Sequence, residues 1–110
     1  EYAGSAYTAA KHGLIGLAKA VAQDCGEFNV TSNAVLPGWV KTAMADRSAQ
    51  AEADLQGTTM EEVWQQRAAL YRPNRVATPN EVAEMIAFLV YEEASGVSAQ
   101  AIKVALGAQS

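Results

Sequence analysis

Two short stretches rich in β-branched and apolar residues, Val30–Leu36 and Ala101–Leu106, are the strand-like segments of this chain, and what lies between them reads as helix and turn. No two-residue hairpin turn links them, so they pair in parallel, with the intervening helices carrying the crossover. That reading predicts an α/β architecture. Two parallel strands with flanking helices make a poor independent fold, because a parallel sheet is covered on both faces. The chain also begins Glu1-Tyr2-Ala3-Gly4, with no methionine and no signal peptide, and its first helical pattern starts almost at once. Both features read as the interior of a longer protein, whose N-terminal half is truncated or held separately.

Composition narrows the function classes. At 110 residues the chain is one domain at most. Its 50% hydrophobic and 18% charged content argues against disorder. A net charge of −4 and a pI near 4.8 argue against a nucleic-acid partner. No apolar run approaches the roughly 18 residues of a membrane span. The single cysteine, Cys25, excludes an internal disulfide framework and a cysteine-rich metal site. A cytoplasmic location fits this cysteine usage.

The helical segments have identifiable ends. Ser5 to about Cys25 is rich in Ala, Leu and Lys, with Leu14, Leu17, Ala18, Val21 and Cys25 recurring on one face and Gly26 as the stop. Gly13 and Gly16 lower its helix propensity by about 1 kcal/mol each, leaving either a close approach by another group or simple surface tolerance. Val30–Leu36 runs into a Pro37-Gly38 turn. Thr42 to Leu55 predicts a second helix ending near Gly57, and Thr59 to Tyr71 a third, opened by the capping-box pair Thr59 and Glu62. Thr78-Pro79-Asn80-Glu81 opens a fourth, with Thr78 at the N-cap and an apolar stripe of Val82, Met85, Ile86, Leu89 and Val90 running to about Glu93.

The chemistry-bearing pair is Tyr7 and Lys11. Four residues apart on a helix, they share a face. An ammonium beside a phenol favours the phenolate, and a tyrosine so placed can pass a proton to or from a substrate oxygen. Taken alone, Tyr-x-x-x-Lys is as readily an ordinary surface pair.

Its context is more specific. Ala6-Tyr7-Thr8-Ala9-Ala10-Lys11-His12-Gly13-Leu14-Ile15-Gly16-Leu17 is followed by Asn33-Ala34-Val35-Leu36-Pro37-Gly38-Trp39-Val40-Lys41-Thr42, then by Arg75-Val76-Ala77-Thr78-Pro79-Asn80-Glu81-Val82-Ala83 and a terminal strand. In this order and spacing, over nearly the whole chain, these segments resemble the C-terminal half of the short-chain dehydrogenase/reductase family.

That resemblance implies the C-terminal part of a Rossmann-type doubly wound parallel sheet spanning 1–110, about two strands plus helices. It implies an NAD- or NADP-dependent oxidoreductase acting on a small carbonyl or alcohol. Tyr7 would be the acid/base. Lys11 would hold the nicotinamide ribose and assist Tyr7. Pro37 and Gly38 would lie against the nicotinamide, with the Val40 backbone and the Thr42 hydroxyl at its carboxamide or a nearby phosphate. A segment at about 43–72 would be a lid over the substrate. The last helix and strand would build a homo-oligomer, a dimer or tetramer. The Pro-Gly-Trp-Val turn and the long lid resemble 3-hydroxybutyrate dehydrogenases, with 3-oxoacyl-carrier-protein reductases and sugar-alcohol enzymes as runners-up.

The remaining candidates carry two readings each. Trp39, Met44, Trp64 and Tyr71 either line a substrate pocket or pack the lid. Arg67, Arg72 and Arg75 read as solvated surface charges, with the holding of a substrate carboxylate as the alternative. His12 reads as structural or exposed, having no partner carboxylate or metal-ligand spacing. Cys25 reads as a small apolar core residue.

The chain departs from the family pattern in two places. Ala99-Gln100 stands where the family has Gly-Gln, and Ala105-Leu106-Gly107 replaces its acidic residue and Gly-Gly. The Gly-rich phosphate-binding turn, the ribose-recognising residue that separates NAD from NADP, and the catalytic serine normally lie upstream, and none occurs in these 110 residues. This piece by itself is therefore expected to be inactive and to bind no nicotinamide cofactor. A non-catalytic half-domain that self-associates, or that pairs with a complementary N-terminal half, is the alternative reading.

Overall fold

The computed structural model describes residues 4–108. In chain order the elements are α1 (Gly4–Cys25), β1 (Ala34–Pro37), α2 (Ala43–Gln56), α3 (Met60–Ala68), α4 (Pro79–Leu89) and β2 (Ala101–Val104). They fall into two compact units. One comprises the chain up to Val35 with Ile86–Ile102, and the other Leu36–Met85 with the chain from Lys103 on.

β1 and β2 form a two-stranded sheet. In the first unit the Ala34 N–H donates to the Gln100 carbonyl at 2.9 Å; in the second the Gly38 N–H donates to the Val104 carbonyl at 3.2 Å. The partner number rises with the residue number, so the pairing is parallel, as the helical crossover requires. Both strands are shorter than the apolar stretches they come from, and β1 extends one residue past its stretch to Pro37. Ahead of β1 the Ala99 N–H still donates to the Ser32 carbonyl at 2.7 Å, but side chains take the place of other ladder bonds at Ser32 and Asn33. Ser98 Oγ accepts the Ser32 N–H at 3.1 Å, Asn33 Nδ2 donates to the Val97 carbonyl at 3.0 Å, and Asn33 Oδ1 accepts the Gln100 N–H at 3.1 Å.

In the first unit, no residue of α1 is buried among those described. Leu14 and Leu17 are 62% and 60% exposed, and Val21 and Cys25 are half-buried. A Cβ built on Gly13 or Gly16 meets nothing within 4 Å, so these glycines admit no close neighbour among the described residues. The helix stops at Cys25, but the left-handed residue that turns the chain is Asn29 (φ 62°), not Gly26; its N–H donates to the Gly26 carbonyl at 3.0 Å. Asparagine tolerates that conformation better than other side-chain-bearing residues.

In the second unit, Thr42 caps α2 by accepting the Ala45 N–H at 3.1 Å, and Gly57 ends it at φ 71°. Thr59 caps α3 by accepting the Glu62 N–H at 3.2 Å. The Glu62 carboxylate accepts from the Thr58 hydroxyl, so the reciprocal half of the expected capping box is diverted by one residue. Ala49 and Ala53, one turn apart on α2, are fully buried against Val63 of α3, with Met60 and Trp64 packed beside them. Two alanines on the facing side let the helices approach closely. α3 ends at Ala68, so Tyr71 lies beyond it rather than within it.

α4 opens as its sequence predicts. Thr78 Oγ1 accepts the Glu81 N–H at 3.1 Å while Glu81 Oε1 accepts the Thr78 N–H at 2.9 Å, a complete capping box. Arg75 adds a bidentate pair to Glu81, both contacts 2.9 Å. The helix closes at Leu89, short of Glu93, as the Val90 and Tyr91 N–H groups turn to the Ala87 and Phe88 carbonyls three residues back.

The two departures from the family pattern coincide with backbone that favours glycine. Ala99 sits at φ 61°, and Leu106 and Gly107 at 51° and 84°, the last two forming a turn closed by the Ala108 N–H on the Ala105 carbonyl at 2.9 Å. A side chain in this region costs about 1 kcal/mol or more. Ala99→Gly is expected to raise the unfolding free energy by about 1 kcal/mol in urea denaturation, from relief of that strain.

The α4 cap carries a pH dependence. Arg75 first, then the Thr78 N–H, holds the Glu81 carboxyl down at about 2, against an ordinary 4.5. A depressed carboxyl contributes stability that is present above 4.5 and lost as pH falls toward 2. Asp46, lowered chiefly by its hydrogen bond from Lys41, acts in the same direction. The melting temperature should fall through this window, and Glu81→Gln should flatten the fall while lowering the neutral-pH value, as thermal melts across pH will read.

Candidate functional site

The first unit carries the candidate proton-transfer pair. Tyr7 and Lys11 lie on successive turns of α1. The Tyr7 side chain is two-thirds exposed and Lys11 is half-buried, so both are open to an approaching ligand. His12 Nδ1 lies 2.9 Å from the Thr8 carbonyl, one turn back, and in the tautomer protonated there it donates to that oxygen. Its ring is thus tied to its own helix. Cys25 is half-buried. This unit also holds an open cleft of about 560 Å³ lined by Asn33 and Val35 on one side and by Ile86, Leu89 and Tyr91 on the other; none of the expected site residues lines it.

The second unit carries the turn after β1. The Ala77 N–H donates to the Trp39 carbonyl at 3.0 Å and the Lys41 N–H to the Ala77 carbonyl at 3.3 Å, making a parallel bridge between Val40 and Ala77. The Trp39 N–H donates to the Tyr71 hydroxyl at 2.8 Å. Thr42 holds the start of α2, its hydroxyl oxygen already accepting the Ala45 N–H.

Around Trp39 a cation–aromatic cluster is assembled from residues far apart in sequence. The Arg67 guanidinium carbon lies 3.6 Å from the Trp39 ring centroid and 4.9 Å from that of Trp64, and the two rings meet edge to face at 6.4 Å. Arg67 is only 4% exposed. It donates to Glu52 Oε1 at 3.2 Å, to Ser48 Oγ at 3.3 Å and to the Ala45 carbonyl at 3.3 Å, so α2 supplies its hydrogen bonds and the two rings its cation–aromatic contacts. Its buried Nε has no partner. Trp64 Nε1 donates to Asp46 Oδ1 at 2.8 Å, and Asp46 also pairs with Lys41 at 2.5 Å.

These contacts sort the sequence candidates. Trp39 and Trp64 are brought together, as a pocket or lid wall requires. Met44 stays 71% exposed and joins neither. Arg75 is engaged by Glu81, and Arg72 is exposed. Arg67 corrects the surface-charge reading: it is buried because two indoles and a carboxylate replace its water. Its register carries the signal, since it falls within the apolar stripe of Val63, Trp64, Leu70 and Tyr71, a position that a solvated arginine does not occupy. Tyr71 is buried with its hydroxyl on the Trp39 backbone, a bond that no sequence spacing announces.

A family model described as "Enoyl-(Acyl carrier protein) reductase" matches residues 1–109. The chain belongs to the short-chain dehydrogenase/reductase family. It is 35% identical over 94 residues to the D-beta-hydroxybutyrate dehydrogenase of Cupriavidus necator, covering 84% of this chain and 36% of that protein. An actinorhodin polyketide ketoreductase solved with NADPH superimposes with a TM-score of 0.87 at 36% identity, covering 97% of this chain and 41% of that one. An NAD+-bound xylitol dehydrogenase does so with a TM-score of 0.82 at 26% identity, covering 94% of this chain and 42% of that one. The fold is therefore part of a Rossmann-type doubly wound sheet, and the short-chain dehydrogenase/reductase chain described here spans about two fifths of the length of the relatives it matches. Among the described residues, no cluster of His, Cys, Asp and Glu is built to hold a metal ion and no helix is long and apolar enough to cross a membrane.

Removing the Arg67 guanidinium should loosen the cluster. Arg67→Met is expected to lower stability by about 2 kcal/mol or more and to shift the tryptophan emission as the rings lose their cation. Arg67→Lys, which keeps the charge but not the plane, should recover only part of both. Urea unfolding followed by fluorescence reads both quantities.

Proposed function

We propose that this chain is the proton-transfer part of an NAD(P)-dependent oxidoreductase that interconverts a carbonyl and a secondary alcohol. The observation that carries the reading is the Tyr7–Lys11 pair, on successive turns of α1 with Tyr7 exposed and Lys11 half-buried, in a chain of which 97% matches an NADPH-bound ketoreductase. The chemistry of the donor set fits the nicotinamide end of such a cofactor, because a phenol and an ammonium one helical turn apart can serve a substrate oxygen and a ribose hydroxyl together.

The cofactor, when bound, supplies or takes up the hydride. The chain's own residues do the rest. In reduction the Tyr7 phenol donates its proton to the carbonyl oxygen as that oxygen gains negative charge; in oxidation the phenolate takes the proton back. Lys11, one turn on, would hold the ribose. Pro37, Gly38, the Val40 backbone and the Thr42 hydroxyl are the residues of the second unit that would hold the nicotinamide end of the cofactor. The Thr42 oxygen already accepts a helix N–H, which leaves its own proton to donate. Residues 43–72, the α2–α3 hairpin and the turn after it, form the substrate lid, with Trp39 and Trp64 as pocket walls. The substrate class is a 3-hydroxy acid or its 3-oxo partner, by likeness to the D-beta-hydroxybutyrate dehydrogenase.

A chimera tests this. Residues 1–109 replace the corresponding segment of the actinorhodin ketoreductase, and NADPH-dependent reduction of a 3-oxo thioester is followed by nicotinamide absorbance. The chimera is expected to turn over. Tyr7→Phe should then lower kcat by about 100-fold or more, the scale of positioned acid–base catalysis, with cofactor affinity unchanged. Retained turnover in Tyr7→Phe would refute the acid/base role.

A second reading has its own support. The described part of α1 buries nothing, and Leu14, Leu17, Ile86 and Val90 of the same unit are exposed. Such apolar surface suits self-association or pairing with another chain. A folded chimera without turnover, beside a chain that sediments as a dimer, would favour this reading over the enzymatic one.

A further inference from the structure

We infer that Tyr71 is the positioning residue of the Pro37–Gly38–Trp39 turn, and that it makes glycine obligatory at position 38. The inference deepens the proposed site and rests on that reading for its link to the cofactor, while the contacts it uses stand by themselves.

Three observations carry it. The Tyr71 hydroxyl accepts the Trp39 N–H at 2.8 Å in a bond that is partly shielded from water, Tyr71 itself being buried and Trp39 half-buried. Second, Tyr71 is held at both ends of its backbone. Its N–H donates to the Ala68 carbonyl at 3.1 Å and its carbonyl accepts the Asn74 N–H at 2.9 Å, so its ring is anchored to the end of α3. Third, a Cβ on Gly38 would lie 2.6 Å from Tyr71 Oη, and 3.2 Å from both Tyr71 Cζ and the Ala105 Cβ. Gly38 is absent from the positive-φ residues, so its need for glycine is spatial rather than conformational. The hydroxyl fills the place a side chain would take, and it cannot withdraw without orphaning the Trp39 N–H.

Trp39 is thus gripped twice from the α3 end, through its backbone by Tyr71 and through its ring by Arg67. A displacement of α3 passes directly to the turn. In the proposed enzyme this ties the nicotinamide-facing turn to the substrate hairpin, with Tyr71 as the link.

The test is a double-mutant cycle of Gly38→Ala and Tyr71→Phe in this chain, read by thermal unfolding and, in a Trp64→Phe background, by the near-ultraviolet dichroism of Trp39. Gly38→Ala alone should lower the melting temperature by several degrees and weaken the Trp39 signal. In the Tyr71→Phe background the same substitution should have less than half that effect, because the opposing oxygen is gone. Additive effects would overturn the inference, as would a Trp39 signal that Tyr71→Phe leaves unchanged. In the chimera, Tyr71→Phe should raise KM for NADPH several-fold with kcat nearly constant; an unchanged KM overturns the positioning role. Coupling in the cycle beside a chimera that folds without turnover would instead refute the site reading alone.

Discussion

A guanidinium taken out of water must find replacements for its hydration, and the second unit of this chain supplies most of them, leaving only Nε without a partner. The edge of Arg67 is met by Glu52, Ser48 and the Ala45 carbonyl, all on α2. Trp39 from the turn after β1 and Trp64 from the helix of Arg67 itself lie against the guanidinium, with ring centroids 3.6 Å and 4.9 Å from its carbon. No two of these groups can be withdrawn without exposing a charge to apolar surroundings. The hairpin core of Ala49, Ala53 and Val63 is small, so it sets how closely α2 and α3 approach but not what they hold; Arg67 decides that.

The same demand reaches the turn. Trp39 is fixed through its ring by that cation and through its N–H by the Tyr71 hydroxyl, while its carbonyl takes the Ala77 N–H. A segment that follows a strand and a Pro-Gly pair would otherwise be among the most mobile parts of such a chain. Here the Gly38, Trp39 and Lys41 N–H groups and the Trp39 carbonyl each have a partner on a different segment, and the space beside Gly38 is filled by the oxygen that makes one of those bonds. Rigid placement of a turn at the end of a parallel strand is what an α/β enzyme asks of it, because ligands of this fold class gather beyond the carboxyl ends of the strands.

Much of the fold was legible in the sequence because its signals are local. Thr42, Thr59 and Thr78 cap α2, α3 and α4, and Gly57 stops α2, through contacts within four residues of each helix end. The parallel sense of β1 and β2 follows from the helices between them. The strand ends were less legible, because Asn33 and Ser98 side chains replace ladder bonds across a gap of more than sixty residues. Of the candidate site, Tyr7 and Lys11 were readable by spacing. Arg67 was marked only by its place in the apolar register of its helix, not by the groups that would receive it, and the role of Tyr71 was not marked at all, since a hydroxyl under a distant backbone N–H leaves no pattern at short range.

The sequence by itself determined the helix starts, the parallel α/β class, the family and the phenol–ammonium pair, all of which depend on residues a few positions apart or on motifs kept in order. Only the tertiary structure decided that Arg67 is interior, that Trp39 and Trp64 meet across it, that Gly38 is glycine for want of space, and that Ala99 and Leu106 occupy backbone better suited to glycine. The physical reason is range. Capping and periodicity act within one or two turns of chain, whereas desolvation and steric exclusion depend on which distant groups the fold brings to the same point.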